Sequence, residues 1–310
     1  MRDLARRQDG VVAVAQCVVA GLGADAVERR VRSGQWQRLH RGVYLTHAGT
    51  PSWRARAVGA LLLAGAGAAL SHRSASFVHQ HLRDAPTVLE VSIPEHRRAT
   101  GGHGVVIRRR RQLEVTVRAG LPVTSRGWSV VDVLDTVRSA DDAVGVLTAA
   151  VRAGVRPQEV LDVLHRRPRA RHRELVTELL GEVAAGTESA MELRYHRDVE
   201  QRHRLPRSTR QLAQAVGGRS IRADAVYEGM GVRVELDGEL AHPGGRTVAD
   251  TWRDNAVLVA LGEIALRYRW HHVRVTPCRT AAQVADALRV RGWRGSPRPC
   301  GPTCAVATGR

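Results

Sequence analysis

The longest apolar run in the chain extends from Ala57 to Leu70 and limits the folds that the sequence can adopt. Its length of about 14 residues falls short of the roughly 20 that a helix needs to cross a bilayer. Arginines precede the run and Ser71-His72-Arg73 follow it, which favours a helix buried in a protein core. The first ten residues are charged and lack the apolar segment of a signal peptide. We therefore expect a soluble, cytoplasmic protein that has no membrane partner.

The basic residues of the chain are all arginines, because the sequence contains no lysine. There are 48 of them against 30 acidic residues, which gives a formal net charge of +18. Arginine codons are rich in G and C, so part of this excess reflects coding background. The remainder favours a polyanionic partner, and nucleic acid before a membrane surface. RNA is the less favoured nucleic acid, because one Phe and four Tyr supply few stacking platforms.

The length and patterning of the chain predict several domains. A chain of 310 residues with a hydrophobic fraction of 43% has enough material for two or three cores. Four cysteines are too few in such a chain to form a disulfide framework. We expect a multidomain α+β or α/β protein with an N-terminal helical domain, a mixed middle domain that ends in helices, an α/β sheet domain and a flexible tail. Their predicted limits are 1–50, 51–180, 186–294 and 295–310.

The N-terminal 50 residues have the order helix, helix, turn, helix and basic hairpin. Turn residues at Asp9-Gly10 and Ser33-Gly34 end helical segments, and residues 36–44 alternate as a tight hairpin. This order is typical of a winged helix-turn-helix, which presents a helix to the major groove of DNA. The basic side chains predicted to face DNA are Arg29, Arg30, Arg32, Arg38, His40 and Arg41. A small helical subdomain with a solvated arginine face is the alternative interpretation.

Two strings in this segment carry a family resemblance. Leu4-Ala5-Arg6-Arg7-Gln8-Asp9-Gly10-Val11-Val12 and Gly34-Gln35-Trp36-Gln37-Arg38-Leu39-His40-Arg41-Gly42-Val43-Tyr44 resemble the N-terminal domain of AbiEi-type antitoxins. Leu70-Ser71-His72-Arg73-Ser74-Ala75 resembles the segment that follows it in that family. The resemblance implies a winged helix that binds DNA and represses the operon of its toxin, in a type IV toxin–antitoxin system. The implied protein partner is a nucleotidyltransferase-type toxin.

Acidic residues cluster in the third zone of the chain. Asp224 lies on one predicted strand, and Glu235 and Asp237 lie two residues apart on the next, so the latter two point to one sheet face. Glu192 precedes the sheet on a predicted helix, and His242 follows it. Carboxylates at strand ends are the oxygen ligands that Mg²⁺ prefers, and a bound metal can generate hydroxide for phosphodiester hydrolysis. His242 is the candidate base, with Asp254 as a further residue near the site.

The spacing of these acids resembles the PD-(D/E)XK nuclease superfamily. Residues 186–293 more specifically resemble a domain of unknown function related to very-short-patch-repair endonucleases, which implies a restriction-endonuclease-like fold and metal-dependent DNA cleavage with Mg²⁺ or Mn²⁺. The residues that carry this resemblance are Met191-Glu192, Arg222-Ala223-Asp224, Val234-Glu235-Leu236-Asp237-Gly238, His242, Arg253-Asp254 and Leu266-Arg267-Tyr268. Asp237 occupies the position of the superfamily's lysine, which supports the attacking water or the transition-state charge.

Two further features of the sequence have an open meaning. Arg108, Arg109, Arg110 and Arg111 follow a predicted strand at 105–107, where they would either bind phosphates or form a solvated charged run. Cys300 and Cys304, with Cys278 and His271-His272 upstream, have side chains that bind zinc. Their spacing lacks a second close pair and a flexible tail is a poor cage, so the zinc interpretation is disfavoured.

The sequence therefore leaves two functions open. One is a DNA-binding protein whose C-terminal domain is a metal-dependent endonuclease, with Asp224, Glu235 and Asp237 as metal ligands. The other is a non-enzymatic repressor and antitoxin in which the nuclease fold is inert.

Overall fold

The computed structural model describes residues 1–184, 188–216, 219–237, 252, 255 and 258–308. These residues divide into two compact units, and each is described separately below. The first unit contains Met1–Arg138 and Ala153–Arg173, and the second contains Ser139–Arg152 and Glu174–Arg310. The mixed α/β multidomain architecture predicted from the sequence is confirmed. Within the described residues, no helix has both the length and the apolarity to cross a membrane.

The first 47 residues of unit 1 form a small helical segment around a three-stranded antiparallel sheet. Its elements are α1 (Arg2–Arg7), β1 (Val11–Ala13), α2 (Val14–Val19), α3 (Ala24–Arg32), β2 (Gln37–His40) and β3 (Val43–Leu45). The strand order is β1-β3-β2, and the predicted hairpin is confirmed as β2 and β3, which turn at Gly42 with a φ of +72°. Val12, Cys17, Val27 and Tyr44 are buried together in a core of this segment.

The rest of unit 1 is a five-stranded mixed sheet with helices. Its elements are α4 (Trp53–Ala64), β4 (Ala69–Leu70), α5 (His72–Val78), β5 (Leu89–Pro94), β6 (Val105–Arg110), β7 (Val115–Arg118), β8 (Leu121–Thr124), α6 (Arg126–Leu134) and α8 (Pro157–Arg166). The strand order is β6-β5-β4-β8-β7, with β6 parallel to β5 and β4 parallel to β8. One core joins Val11 and Leu45 of the N-terminal segment to Leu70, Val91 and Val123 of this sheet.

The helix predicted over the apolar run is shorter than expected. Helix α4 ends at Gly65, which has a φ of +82°, a conformation that suits glycine better than any other residue. Ala69 and Leu70 then extend as β4, where Leu70 pairs with Val91 and Val123. The run is thus largely buried, apart from the exposed turn at Ala66 and Gly67, and a helix and a central strand share it.

Unit 2 is built around a four-stranded sheet. Its helices are α7 (Ala140–Arg152), α9 (Arg173–Ala184), α10 (Glu188–Arg194), α11 (Trp270–Arg274), α12 (Pro277–Val290) and α13 (Ala305–Thr308), and a π-helix (Tyr195–Gln201) continues α10. Its strands are β9 (Thr209–Val216), β10 (Arg219–Tyr227), β11 (Val232–Asp237) and β12 (Ile264–Arg269), in the order β12-β11-β10-β9. Only the pair of β11 and β12 is parallel among these strands.

Candidate functional site

The arginines predicted to contact DNA occupy two elements of the N-terminal segment. On α3, Arg29 and Arg32 are exposed and lie three residues apart, so they share a face of the helix. Val27 is buried on the same helix, which fixes α3 against the core of the segment. On the hairpin, Arg38 and Arg41 are exposed. Arg29 and Arg32 on α3, with Arg38 and Arg41 on the hairpin, are thus the exposed arginines of the N-terminal segment.

Two aromatic rings position arginines of this region. The Arg30 guanidinium lies 5.6 Å from the centre of the Trp36 ring and donates a hydrogen bond of 2.9 Å to the carbonyl of Ala26. The Arg38 guanidinium lies 5.8 Å from the centre of the Tyr44 ring. A cation held over a ring loses less freedom on binding a phosphate than a free chain does. Arg30 is the less exposed of the two and supports the loop before β2.

His40 is half-buried and packs against unit 1, whereas the four arginines are exposed. Its ring lies beside Gly59 of α4 and beside Gly102, where an added methyl group would come within 2.9 Å of Nδ1. Burial, and then the charge of His103, lower the pKa of His40 below its ordinary value. The imidazole is therefore neutral at pH 7, and a neutral ring is a weaker partner for phosphate than the arginines are.

The run from Arg108 to Arg111 is divided between two environments. Its first three residues belong to β6, so alternate side chains point to opposite faces of the sheet. Arg108 donates to Glu90 at 3.2 Å, and Arg111 donates to Glu95 at 3.1 Å. Arg109 is exposed, and no ion pair is found for it in the part of the chain that the structure describes. The run is therefore not one continuous phosphate-binding stripe.

Arg110 belongs to a buried ionic cluster around Asp132. The Asp132 side chain is 1% exposed, and its Oδ1 accepts hydrogen bonds from Arg110 at 2.8 Å and from Arg167 at 2.6 Å. Arg110 also donates to Nε2 of His72 at 3.1 Å. Burial lowers the pKa of His72 to about 3, so the ring is neutral and can accept this bond. The cluster links β6 to α6 through an ion pair and to α5 through a hydrogen bond, and the sequence pattern did not reveal either contact.

The predicted carboxylate site lies on the sheet of unit 2. Ala225 of β10 pairs with Val234 of β11, so the next pair outward brings Asp224 opposite Glu235. The backbone N–H of Leu236 donates to Asp224 Oδ2 at 2.6 Å, which holds this carboxylate at the β11 backbone. The three carboxylates Glu192, Asp224 and Glu235 come from α10, β10 and β11.

Gln211 is a member of this site that sequence reasoning missed. Its side-chain amide donates to Asp224 Oδ1 at 3.4 Å and to Glu192 Oε1, so it joins α10 to β10. No motif pointed to it, because a glutamine 13 residues before Asp224 carries no spacing signal. Glu192 is buried, whereas Asp224 and Glu235 are half-buried. A neutral amide between two carboxylates reduces their mutual repulsion.

A buried arginine lies beside Glu235. The Arg233 side chain is 3% exposed, and its Nε is 3.7 Å from Glu235 Oε1 and 3.3 Å from Glu263 Oε2. Residues 233 and 235 alternate with Val234 on β11 and therefore point to the same face. The donor set of this carboxylate site fits a hard cation, because it supplies carboxylate oxygens from three elements. The Asp237 side chain, His242 and Asp254 lie outside the described residues.

The comparisons with known proteins concern the N-terminal segment. Residues 1–47 match the model of a family described as transcriptional regulator, AbiEi antitoxin. The match spans the six elements from α1 to β3, and it confirms the resemblance of the N-terminal strings to this family. It supports a role of this segment in transcriptional regulation or as an antitoxin. A comparison with curated proteins gave no match for the chain.

Proposed function

We propose that the protein is a DNA-binding transcriptional regulator of the AbiEi antitoxin type, and that residues 1–47 form its winged helix. The observation that carries the proposal is the family match, which covers residues 1–47 and therefore the elements from α1 to β3. Helices α2 and α3 correspond to the helix-turn-helix, α3 being the recognition helix, and the β2–β3 hairpin is the wing. Arg29 and Arg32 would then meet the DNA from α3, and Arg38 and Arg41 from the wing.

The charge of the segment supports this proposal. Residues 1–47 contain eight arginines and four acidic residues, so the segment is basic in its own right. The Arg32 side chain is 79% exposed, and its ion pair with Glu28 is 4.0 Å long and open to solvent. Such exposed pairs contribute about 0–1 kcal/mol, so a phosphate can replace the glutamate at little cost. Of the other predicted residues, Arg108, Arg110 and Arg111 already bind carboxylates, and Arg109 is the member of that run best placed for a phosphate.

The proposal is tested by DNA binding as a function of salt. Fluorescence anisotropy with a duplex from the promoter of the protein's own gene gives the dissociation constant at several salt concentrations. Each phosphate contact that is lost reduces the slope of log K against log salt by about 0.9. Arg29→Ala/Arg32→Ala is therefore expected to weaken binding and to reduce the slope by about 2. The matched control Arg156→Ala/Arg289→Ala removes two positive charges from exposed sites, one directly before α8 and one on α12.

The two double variants distinguish a local site from bulk charge. Equal effects of the two would mean that the net charge of the chain binds DNA without a defined face. No binding by the unmodified protein at low salt would overturn the proposal. A large effect of Arg29→Ala/Arg32→Ala with little effect of the control supports it.

An antitoxin role adds a protein partner to this proposal. The partner is a toxin of the nucleotidyltransferase type, encoded beside this chain. Co-expression of the neighbouring gene with this protein is expected to restore growth that the neighbouring gene alone prevents. If the neighbouring product is harmless alone, or harmful in both cases, the protein is a regulator without an antitoxin role.

The carboxylate site on the sheet of unit 2 supports a second candidate function, metal-dependent DNA cleavage. The observation that favours it is the alignment of Asp224 with Glu235 on adjacent strands, next to the buried cation of Arg233. Asp224 and Glu235 would hold Mg²⁺ or Mn²⁺, with Asp237 and Glu192 assisting and His242 as the base. The metal, when bound, would supply an activated water and stabilise charge on the phosphate. Arg233 would contribute the positive charge that the superfamily's lysine supplies elsewhere.

Plasmid cleavage tests this second candidate. The unmodified protein, Asp224→Asn and Glu235→Gln are incubated with supercoiled DNA and Mg²⁺ or Mn²⁺. The control is Glu228→Gln, which changes an exposed carboxylate after β10 of the same sheet. Cleavage that disappears in the first two variants and persists in the control supports the nuclease. Cleavage that is equal in all of the samples, or absent from all of them, rejects it and leaves an inert fold.

A further inference from the structure

Four metal-binding side chains of unit 2 converge on one point. Nε2 or Nδ1 of His203 and the Sγ atoms of Cys278, Cys300 and Cys304 all lie within 4.8 Å of one another. His203 lies two residues after the π-helix, Cys278 lies in the first turn of α12, and Cys300 and Cys304 lie in the segment before α13. In sequence the histidine precedes the first cysteine by 75 positions. Only the folded chain brings these donors together.

His203 has the hydrogen bonding of a metal ligand. The residue is fully buried, and its Nδ1 forms a 3.1 Å hydrogen bond with the backbone carbonyl of Val199. A carbonyl only accepts, so Nδ1 carries the proton and Nε2 has a free lone pair. Nε2 is buried and has no hydrogen-bond partner among the described residues. Metal-binding histidines are commonly held in this way, with the second ring nitrogen bonded to a carbonyl.

The sulfur positions suit a shared metal better than a disulfide. The Sγ atoms of Cys278 and Cys300 are 3.4 Å apart, well beyond the roughly 2.05 Å of a disulfide bond. Two sulfurs that are each about 2.3 Å from a tetrahedral zinc are about 3.8 Å apart. A disulfide would also leave a third thiol and the buried Nε2 without a function, whereas one metal uses all four donors.

The C-terminal segment is built into this cluster. The backbone N–H of Arg298 donates to the carbonyl of His203 at 2.7 Å. The Cys304 side chain is buried although it lies in the segment predicted as a flexible tail. The sequence disfavours zinc partly because of that tail and groups the cysteines with His271 and His272, whereas the fold places His203 beside them. His271 instead contacts Asp141 at 2.9 Å, and Nδ1 of His272 accepts from the backbone N–H of Arg269.

We propose that His203, Cys278, Cys300 and Cys304 form a structural zinc site of the Cys₃His type. Four protein ligands complete a tetrahedral shell and leave no open position for a water or substrate, so the site stabilises and does not catalyse. Thiolate and imidazole donors select zinc over the hard cations that carboxylates prefer. The zinc fastens residues 298–304 to the π-helix and to α12. This proposal is independent of the function proposed for residues 1–47.

The test measures metal content in the full chain, purified with a reductant and without a chelator. Elemental analysis by mass spectrometry is expected to find about one zinc per chain, since one metal satisfies the four donors. The variants Cys278→Ala, Cys304→Ala and His203→Ala are expected to lose most of it. The control is Cys17→Ala, a buried cysteine of unit 1 outside the cluster, which is expected to keep its zinc.

A second measurement uses only the unmodified protein, so it tests the proposal even if the variants fail to fold. The unmodified protein is stripped of zinc with a chelator and reconstituted with Co²⁺. Three thiolates and one imidazole are expected to give sulfur-to-metal charge-transfer bands and the intense visible bands of tetrahedral cobalt. The melting temperature is expected to fall on chelation and to recover when zinc is added back. Octahedral cobalt spectra with a melting temperature unchanged by chelation would overturn the proposal.

Two other outcomes would also overturn the proposal. One is the absence of stoichiometric metal from the reduced, unmodified protein. The other is a Cys278–Cys300 disulfide, identified by peptide mapping of protein that was purified anaerobically.

Discussion

At the scale of single residues, Asp132 is a buried carboxylate of unit 1 that forms ion pairs with two arginines. Its carboxylate accepts from Arg110 and Arg167, and Arg167 also pairs with Asp135. Burial of three charged groups is stabilising only while each is paired, because an unpaired buried ion keeps its full desolvation cost. The arrangement explains why two arginines of an arginine-rich chain are unavailable to DNA.

Asp132→Ala is expected to lower the free energy of unfolding by about 3–5 kcal/mol, because it leaves the partly buried Arg110 without its counter-charge, whereas Arg167 keeps its pair with Asp135. Urea denaturation followed by circular dichroism measures the change. Asp162→Ala, at an exposed position of α8, is the control and is expected to change stability by less than about 0.5 kcal/mol. A similar small effect of Asp132→Ala would mean that the cluster is solvated.

His81 makes the stability of the protein dependent on pH. Burial, and then the neighbouring His79, lower its pKa to about 3, and neither ring nitrogen has a hydrogen-bond partner among the described residues. In the unfolded chain the same ring has a pKa near 6.5. The unfolded state therefore binds a proton that the folded state does not, and stability falls as the pH decreases from about 6.5 towards 3. His72 acts in the same direction and over the same range.

His81→Leu is expected to reduce the loss of stability between pH 7 and pH 4 by about 1–3 kcal/mol, because leucine has no proton to gain. Urea denaturation midpoints at pH 7, 5.5 and 4 measure the effect. His165→Leu, on the exposed surface of α8, is the control and should keep the original pH dependence. If His81→Leu and the unmodified protein lose the same stability on acidification, His81 is protonated in the folded state.

At the scale of elements, α4 owes its position to caps at both ends. Ser52 Oγ accepts a hydrogen bond of 3.0 Å from the backbone N–H of Ala55, which satisfies one free donor of the first turn. Gly65 ends the helix by adopting a positive φ. Between these ends, Ala57 and Ala60 are completely buried, because their small side chains let the helix pack closely. The caps therefore fix the two ends of the helix, and the burial of its small side chains fixes its position in the core.

Ser52→Ala is expected to destabilise the protein by about 1 kcal/mol through loss of this cap, and Ser52→Gly by only a few tenths. Thermal or urea denaturation measures both. Ser33→Ala, at the exposed C-terminal end of α3, is the matched control, since its hydroxyl donates to the carbonyl of Arg30 and does not cap an N-terminal turn. Equal effects at the two serines would show that the cap contributes nothing specific.

The elements also show which local predictions succeed. The β2–β3 hairpin follows from alternation around Arg41-Gly42, and both strands form within two residues of the predicted limits. Strand β1 was missed, because Val11–Ala13 has only three residues and is held by pairing with β3 about 30 positions later. A short strand of this kind has no pattern of its own, since its partner supplies the hydrogen bonds.

At the scale of the whole molecule, the chain passes between its units more often than its sequence indicates. Helix α7 belongs to unit 2, whereas α8, which follows directly, belongs to unit 1. The helix buries Ala143, Leu147 and Ala150, so it depends on the packing of its own unit. A division of the chain near residue 180 would therefore separate α7 from the rest of unit 2.

A fragment of residues 1–180 is accordingly expected to expose the apolar face of α7. Increased binding of the dye ANS and association in sedimentation experiments would measure this exposure. Co-expression with residues 181–310 is the control and is expected to reverse both effects by restoring the packing. A fragment that is monomeric, binds no dye and unfolds cooperatively would contradict this expectation. It would show that α7 packs against the residues of unit 1 in the fragment.

The sequence by itself determined the features that depend on neighbouring residues. These features depend on residues that are separated by about 15 positions or fewer. They include the helix and strand periods, the turn residues, and the alignment of Asp224 with Glu235 on successive strands. Only the tertiary structure decided which charges and donors meet over long separations. It pairs Arg110 with Asp132, so this guanidinium is already bound to a carboxylate, and it brings His203 together with three distant cysteines. The physical reason is that such groups interact through space, and their spacing along the chain carries no record of it.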